Sequence, residues 1–304
     1  MNNSKHYAAA IAAFVIWGFF AIPLRALKAY SSGEILYFRI LFSLLVLVVV
    51  IAGFKRADLK KDRATFTSSS AQQRKTVIAL TLAGGALLTV NWLSFIYVVN
   101  NINIKTASFS YLICPVITAI LGYVLIKEKL TPLQWIAVGL CAISCILMGI
   151  SSVHELGYSF LTAFTYALYL ISQRKNQGFD RLIMLGIQTL FSFIILSFLV
   201  NYLVGSIPAA TEFYSLIILI AIVFTVFPLF LNLFALNRIN SATIGILMYL
   251  NPIFNFSVAF FVFNERINQI QMIGYAIIAV ALILFNYQNF KKLKLAAESL
   301  KSTS

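Results

Sequence analysis

Acidic residues are scarce in this sequence. Nine Asp and Glu stand among 304 residues against 23 Lys and Arg, so the formal net charge is +14 while charged residues make up only 11% of the chain. A soluble domain carries about a quarter charged residues to coat its core. With 61% hydrophobic residues, no globule of this size hides so much apolar surface from water, which excludes a soluble enzyme or binding module. The basic residues come in short clusters between apolar runs, without base-stacking motifs, so nucleic acid is excluded as a partner. The three cysteines, Cys114, Cys141 and Cys145, all fall inside apolar runs and offer no disulfide framework. The two histidines, His6 and His154, are far apart and on opposite sides of the expected membrane, which rules out a shared metal site. There is no Walker loop, dinucleotide fingerprint, nucleophile elbow or zinc-ligand spacing. No cofactor or metal, no enzymatic activity and no ATP-driven pumping by this chain alone is therefore expected.

What is present is a series of apolar runs about 17 to 25 residues long, the length that crosses roughly 30 Å of hydrocarbon at the helical rise. Ten are expected: Tyr7–Ile22, Glu34–Phe54, Thr76–Val99, Ile104–Ile126, Pro132–Ile150, Leu156–Ile171, Leu182–Val204, Phe213–Leu236, Ser241–Phe263 and Asn268–Tyr287. The sixth is the weakest, being short and holding Thr162, Thr165 and Tyr169. The first lacks a clear small-residue cleavage site and reads as a retained helix rather than a signal peptide. An N-terminus in the cytoplasm puts 18 of the 23 basic residues inside, including Lys55 to Lys75, Arg174 to Arg181 and the tail Lys291 to Lys301. Arg25, Lys28, Lys105 and Arg266 fall outside, and Arg39 lies within the second span. The positive-inside rule thus places both termini in the cytoplasm of a multi-pass inner-membrane protein. Its 21-residue loop after the second span and its basic tail lie beside anionic lipid headgroups.

The chain also repeats itself. Residues 84–149 slide onto 221–286 at a constant offset of 137 without a gap, matching Asn100, Asn103, Thr106, Pro115, Glu128 and Gln134 to Asn237, Asn240, Thr243, Pro252, Glu265 and Gln271. Leu41-Phe42-Ser43 matches Leu190-Phe191-Ser192. The reading is an all-α membrane protein of ten transmembrane helices built as two inverted five-helix repeats, residues 1–151 and 152–290, followed by the basic cytoplasmic tail 291–304. Five being odd, the second copy enters from the opposite side. Inverted repeats of this kind are mainly a transporter architecture, with the substrate near the midplane between the halves.

The run of Ile16-Trp17-Gly18, Glu34-Ile35-Leu36 with Arg39, Asn91-Trp92, Asn100-Asn101, Ala107-Ser108 with Tyr111, Pro115 with Glu128, and Tyr249 with Pro252 and Glu265 resembles the EamA family of the drug/metabolite transporter superfamily, in its RarD-like branch. The resemblance covers nearly the whole chain. It implies a secondary transporter, an exporter of small organic metabolites such as amino acids or drug-like compounds working by alternating access. The RarD-like name refers to chloramphenicol insensitivity. The sequence departs from the family pattern at Lys127 and Asn264 (usually Gly before the Glu), Cys114 (commonly Asn), Thr106 (often Glu) and Phe38 (often His). A membrane scaffold or lipid-handling protein and a passive channel are the competing classes, and the chain is expected to act as a monomer or homodimer.

Residues within spans carry the functional expectations. Arg39 either pairs with Glu34, snorkels to the outer interface, or meets an anionic group on the substrate. Asn91, Gln188, Asn232, Asn251 and Asn255 serve as interhelical hydrogen bonds or as cavity lining. Trp17, Trp92, Tyr97, Tyr111 and Tyr249 line an apolar pocket or simply pack and anchor. Pro115 and Pro252, at the centres of the fourth and ninth spans, should free the carbonyls of Tyr111 and Met248, giving either tolerated kinks or cavity-lining ones. Glu34, Glu128 and Glu265 are the candidate gating residues, and for the last two the alternative is an anionic partner for neighbouring basic residues or for helix N-termini. No carboxylate sits at a span centre, so transport is expected to be facilitated diffusion or to couple through an edge group such as Glu34.

Overall fold

Short polar side chains cap the starts of several helices of this chain. Ser31 with Glu34, Ser70 with Gln73, and Thr131 with Gln134 each form a reciprocal capping box, and Pro132 supplies the N–H-free first helical position. Asn103, Ser152 and Asp180 cap three further helices through their side-chain oxygens. The structure, a computed structural model, describes residues 4–127, 129–176, 178–205, 207–236 and 247–301. Among them the helices are α1 (Ser4–Gly18), α2 (Ala21–Ala26), α3 (Ser32–Phe54), α4 (Arg56–Ser68), α5 (Ala71–Tyr97), α6 (Ile104–Ile126) and α7 (Pro132–Ser151). There follow α8 (Val153–Lys175), α9 (Arg181–Phe198), α10 (Val200–Leu203), α11 (Thr211–Ala221), α12 (Phe227–Leu236), α13 (Leu250–Phe261) and α14 (Gln269–Lys301). A π-helical turn, Val98–Ile102, extends α5, and another, Ile222–Val226, joins α11 to α12. The described residues contain no strand.

This is a multi-pass membrane protein. Among the described residues six helical stretches are long and apolar enough to span a bilayer: Lys5–Ala26, Ser32–Phe54, Ala71–Ile102, Ile104–Ile126, Arg181–Phe198 and Thr211–Asn232. Pro132–Met148, Leu250–Phe261 and Gln269–Phe285 are shorter apolar helices. The expected loop after the second span is largely helix α4, whose Asp62 accepts the backbone N–H of Asp180 at 2.9 Å. The helix α14 continues to Lys301, so the backbone of the expected tail extends it.

Helices pack as α1 against α12 and α13, α8 against α5 and α6, α3 against α9 and α11, α5 against α9, α6 against α13, and α7 against α14. Lipid is as apolar as leucine, so such contacts rely on close approach rather than on escape from water. Gly18 shows this: a Cβ there would sit 2.4 Å from Phe254 Cβ. The same residue ends α1, and the chain turns before α2, so the first span is a broken helix reaching Ala26 instead of a continuous one ending at Ile22.

The two prolines differ. Pro115 lies inside α6, eleven residues from its start. Pro252 falls in the first turn of α13, where an N–H has no intrahelical partner to lose. The carbonyl of Met248 accepts the N–H of Asn251 at 3.2 Å, so it is not left free as the central position predicted. Met248 and Tyr249 form a turn that leads into α13. The first residues of that span, 241–246, lie outside the described residues.

Candidate functional site

The site is built around Arg39, two turns into α3 and only 4% exposed. Its guanidinium carbon is 4.8 Å from the ring centres of both Phe20 and Trp92, a cation–π contact with each. Nε donates to Thr225 Oγ1 at 3.1 Å, while Nη1 has no hydrogen-bond partner. The pair with Glu34 does not form. Glu34 instead accepts the Ser31 N–H at 2.8 Å within the capping box of α3. Residues five apart on a helix are about 140° apart around its axis, so the two side chains leave opposite faces. Nor does Arg39 snorkel, because its side chain stays buried.

The π-helical turn between α11 and α12 prepares Arg39's partner. Thr225 Oγ1 donates to the carbonyl of Ile220 at 3.0 Å, five residues back, which orients its oxygen to accept from Arg39. The widened turn also presents the carbonyl of Phe224, which accepts the indole N–H of Trp17 at 3.0 Å. Such bulges recur at functional sites because they expose backbone groups that a regular helix conceals.

These groups line one end of a cavity of about 840 Å³. Trp17, Arg39, Asn91, Trp92, Tyr111, Pro115, Asn232, Tyr249 and Asn251 all border it. Asn91 also donates to the carbonyl of Thr162 at 2.7 Å, so it is both lining and interhelical bond. Four other candidates lie elsewhere. Tyr97 stacks on Tyr158 with ring centres 5.2 Å apart. Gln188 is fully buried where α9 crosses α5 at Gly84 and Gly85. Pro252 and Asn255 are buried on α13 and do not border the cavity.

Sequence reasoning did not single out Phe20, Thr225, Tyr166, Lys129, Gln173 or Arg181, all of which line the cavity. A signal existed for α8. The polar residues that weakened the sixth span mark the helix whose Tyr166, Tyr169 and Gln173 face the cavity. Nothing local marks Thr225.

One end of the cavity is blind and the other open. Around Arg39, Phe20 stacks between Phe95 at 5.7 Å and Phe224 at 5.6 Å, and Phe20, Phe95 and Thr225 are all buried. At the opposite end Lys129 and Arg181 are exposed. Beyond the blind end, Glu265 accepts Arg25 Nη2 at 3.0 Å and the backbone N–H groups of Ile104 and Lys105 at 2.9 and 3.1 Å. Its carboxylate therefore sits on the positive N-terminus of α6. Lys105 Nζ donates to the Arg266 carbonyl and ties the same elements again. Glu34 is part of the α3 cap, and Glu128 lies outside the described residues.

The open end is held by charge. Asp180 caps α9 through the N–H groups of Leu182 and Ile183, and its second oxygen accepts Lys55 Nζ at 2.8 Å. Lys55 also reaches Asp58 at 2.9 Å. Burial pushes the Asp180 carboxyl up, but the Lys55 ammonium and the two backbone donors outweigh it and hold it below the usual range. Hydrogen bonds to Asp180 and Asp58 raise the Lys55 ammonium above its ordinary value. Asp62 is raised, chiefly by burial. This cluster fixes the α9 start and with it Arg181 at the cavity mouth.

The family model described as the EamA-like transporter family matches residues 4–150 and 155–287. An "Uncharacterized transporter" of Vibrio cholerae is 30% identical over 296 residues, covering 95% of this chain and 94% of the relative. YojE of Bacillus subtilis, also titled an uncharacterized transporter, is 28% identical over 283 residues, covering 91% and 92%. Protein RarD of Escherichia coli is 25% identical over 285 residues, covering 91% and 92%. A solved crystal structure superposes with a TM-score of 0.63 at 12% identity, covering 93% of this chain and 98% of that one, which shows a shared fold.

Proposed function

The chain belongs to the EamA-like transporter family, within which it groups with RarD-like proteins, and from that premise we propose that it is a secondary transporter of small organic metabolites working by alternating access. It crosses the cytoplasmic membrane ten times as two inverted five-helix repeats, residues 1–151 and 152–290, and exports its substrate. It performs no catalysis.

The helix pairing supports the repeat. Numbering the spans in chain order, span one packs on eight and nine (α1 on α12 and α13), and span six packs on three and four (α8 on α5 and α6). Span two packs on eight (α3 on α11) as seven does on three (α9 on α5), while two–seven, four–nine and five–ten pair with their own counterparts. For these closest pairings, adding five to every number returns the same set, as a pseudo-two-fold requires. Local geometry repeats too. Lys127 and Asn264, 137 positions apart, are the non-glycine residues with positive φ among the described residues, at 60° and 50°. Thr131 with Gln134, and Asn268 with Gln271, form equivalent capping pairs.

The single observation that carries the transport reading is the cavity itself, blind at the Glu265 end and open at the basic end. With the basic loops in the cytoplasm, this conformation faces inward, and the Glu265 contacts form the closed outer gate. The described lining residues include no carboxylate, which favours facilitated diffusion over proton coupling at the site. The test is to load proteoliposomes with amino acids, organic acids, nucleosides and chloramphenicol and to follow by mass spectrometry which compounds leave, with and without a pH gradient. Selective, saturable loss with counterflow stimulation and no response to the gradient is expected. Saturable loss without counterflow means a channel, and no loss above protein-free vesicles overturns the transport reading.

A further inference from the structure

The charge inside the cavity is one-sided. Arg39 sits at the blind end, Lys129 and Arg181 at the mouth, and no Asp or Glu is among the described lining residues. Three ion pairs join described residues, those of Arg25 with Glu265 and of Lys55 with Asp58 and Asp180, and none involves these three cations. Burying a cation within the membrane without a counter-ion is costly, and proteins retain such groups where a ligand or pathway uses them. The Phe20 and Trp92 rings each lie 4.8 Å from the Arg39 guanidinium carbon and Thr225 occupies Nε, which leaves the terminal nitrogens to meet a ligand.

We propose that the substrate is an organic anion: an apolar or aromatic body carrying one carboxylate and no ammonium group, its carboxylate received by Arg39. This rests on the transport reading above and gives it a substrate class. A carboxylate supplies the oxygens that the guanidinium edge matches and the single charge that one arginine balances. The aromatic rings around it, among them Trp17, Trp92 and Tyr111, suit an apolar body. An amino acid fits less well, because its ammonium would enter a positive site with no carboxylate among the described lining residues to receive it, and an amine less well again. Lys129 and Arg181 raise the local concentration of anions at the mouth.

Efflux of hydrocinnamate, phenylalanine, phenethylamine and hydrocinnamamide from proteoliposomes tests this, since the four share one phenylalkyl body and differ in charge. Hydrocinnamate is expected to leave saturably and about tenfold to hundredfold faster than the other three, the range that one charge-assisted contact supplies. Arg39→Gln should remove that preference and Arg39→Lys should keep part of it. The anion should also quench the fluorescence of the parent through Trp17 and Trp92, but not that of Arg39→Gln. Because a buried variant can misfold, Lys129→Gln with Arg181→Gln at the exposed mouth is the second measurement. It should slow hydrocinnamate several-fold at low salt and little at high salt. Equal efflux of phenylalanine or phenethylamine, or a preference unchanged in folded Arg39→Gln, overturns the anion assignment and leaves the transporter standing. If no probe leaves, the anion assignment falls as well, and the mixed-pool assay decides separately whether the chain transports at all.

Discussion

Replacing Glu265 with Gln should unlatch the blind end of the cavity. In the present conformation its carboxylate accepts three donors, Arg25 Nη2 and the N–H groups of Ile104 and Lys105, at 2.9 to 3.1 Å, with the Arg25 and Glu265 side chains 20% and 12% exposed. A glutamine keeps one acceptor oxygen and turns an NH₂ group toward donors. The loss comprises about 0.3–1 kcal/mol of charge against the α6 N-terminus, about 1 kcal/mol of ion pair, and about 1–3 kcal/mol for a donor left unpaired. A sum of about 2–5 kcal/mol moves the closed-to-open equilibrium roughly 30-fold to 5000-fold. The assay labels Phe224→Cys, at the cavity wall, with a membrane-impermeant thiol reagent applied from the Glu265 side, in a background where Cys114, Cys141 and Cys145 are serine. The parent should label slowly from that side and faster from the Lys129 side, and Glu265→Gln should speed the slow rate at least tenfold. Arg25→Met should have the smaller effect, because Glu265 still holds the two backbone N–H groups. A folded Glu265→Gln protein labelling within twofold of the parent, or the two variants behaving alike, refutes this account of the gate.

Further outcomes follow from the same geometry. Gly18→Leu should lower the melting temperature by several degrees, since its Cβ falls 2.4 Å from Phe254 Cβ and overpacking costs about 1–3 kcal/mol; an unchanged melt in detergent would contradict the close approach of α1 and α13. Trp17→Phe strands the Phe224 carbonyl, and an unpaired buried acceptor costs about 1–3 kcal/mol, so both melting temperature and apparent substrate affinity should drop. Lys55→Met should release α4, read as faster motion of a spin label at position 60. In the parent the pH dependence has two limbs. The raised Lys55 ammonium supports docking fully below its ordinary pKa and loses that support as pH rises through its higher folded value. The lowered Asp180 carboxyl supports docking above its ordinary pKa and loses it as pH falls through its lower folded value, whereas the raised Asp62 works against the folded state at neutral pH and relaxes on acidification. The label should therefore stay slow across the neutral range and loosen in strong base and strong acid; loosening near neutrality would show that these charges do not hold α4.

Much of the architecture was legible in the sequence because it rests on local rules. Apolar runs of bilayer length and the skew of basic residues announce a multi-pass membrane protein, and the caps at Thr131 and Asn268 are readable within four residues. The 137-residue offset joins Thr131 to Asn268 and Lys127 to Asn264 before any coordinates are known. Arg39, the residue most expensive to place in a membrane, was conspicuous for the same reason. Its partner was not. Pairing it with Glu34 follows sequence distance, but helix rotation sends the two to opposite faces, and the acceptor turned out to be Thr225, 186 positions away on a π-helical turn. Which span polar residues reach the cavity was equally hidden, because a polar side chain in an apolar helix reads alike whether it meets a neighbouring helix, as Gln188 does, or the cavity, as Asn232 does. Composition and periodicity determine that a helix forms and crosses the membrane, since those depend on neighbours within a turn or two. The crossing of distant helices decides which face is turned inward, which end of the cavity is sealed and whether a buried charge has a partner, because each depends on contacts between residues that the chain keeps far apart.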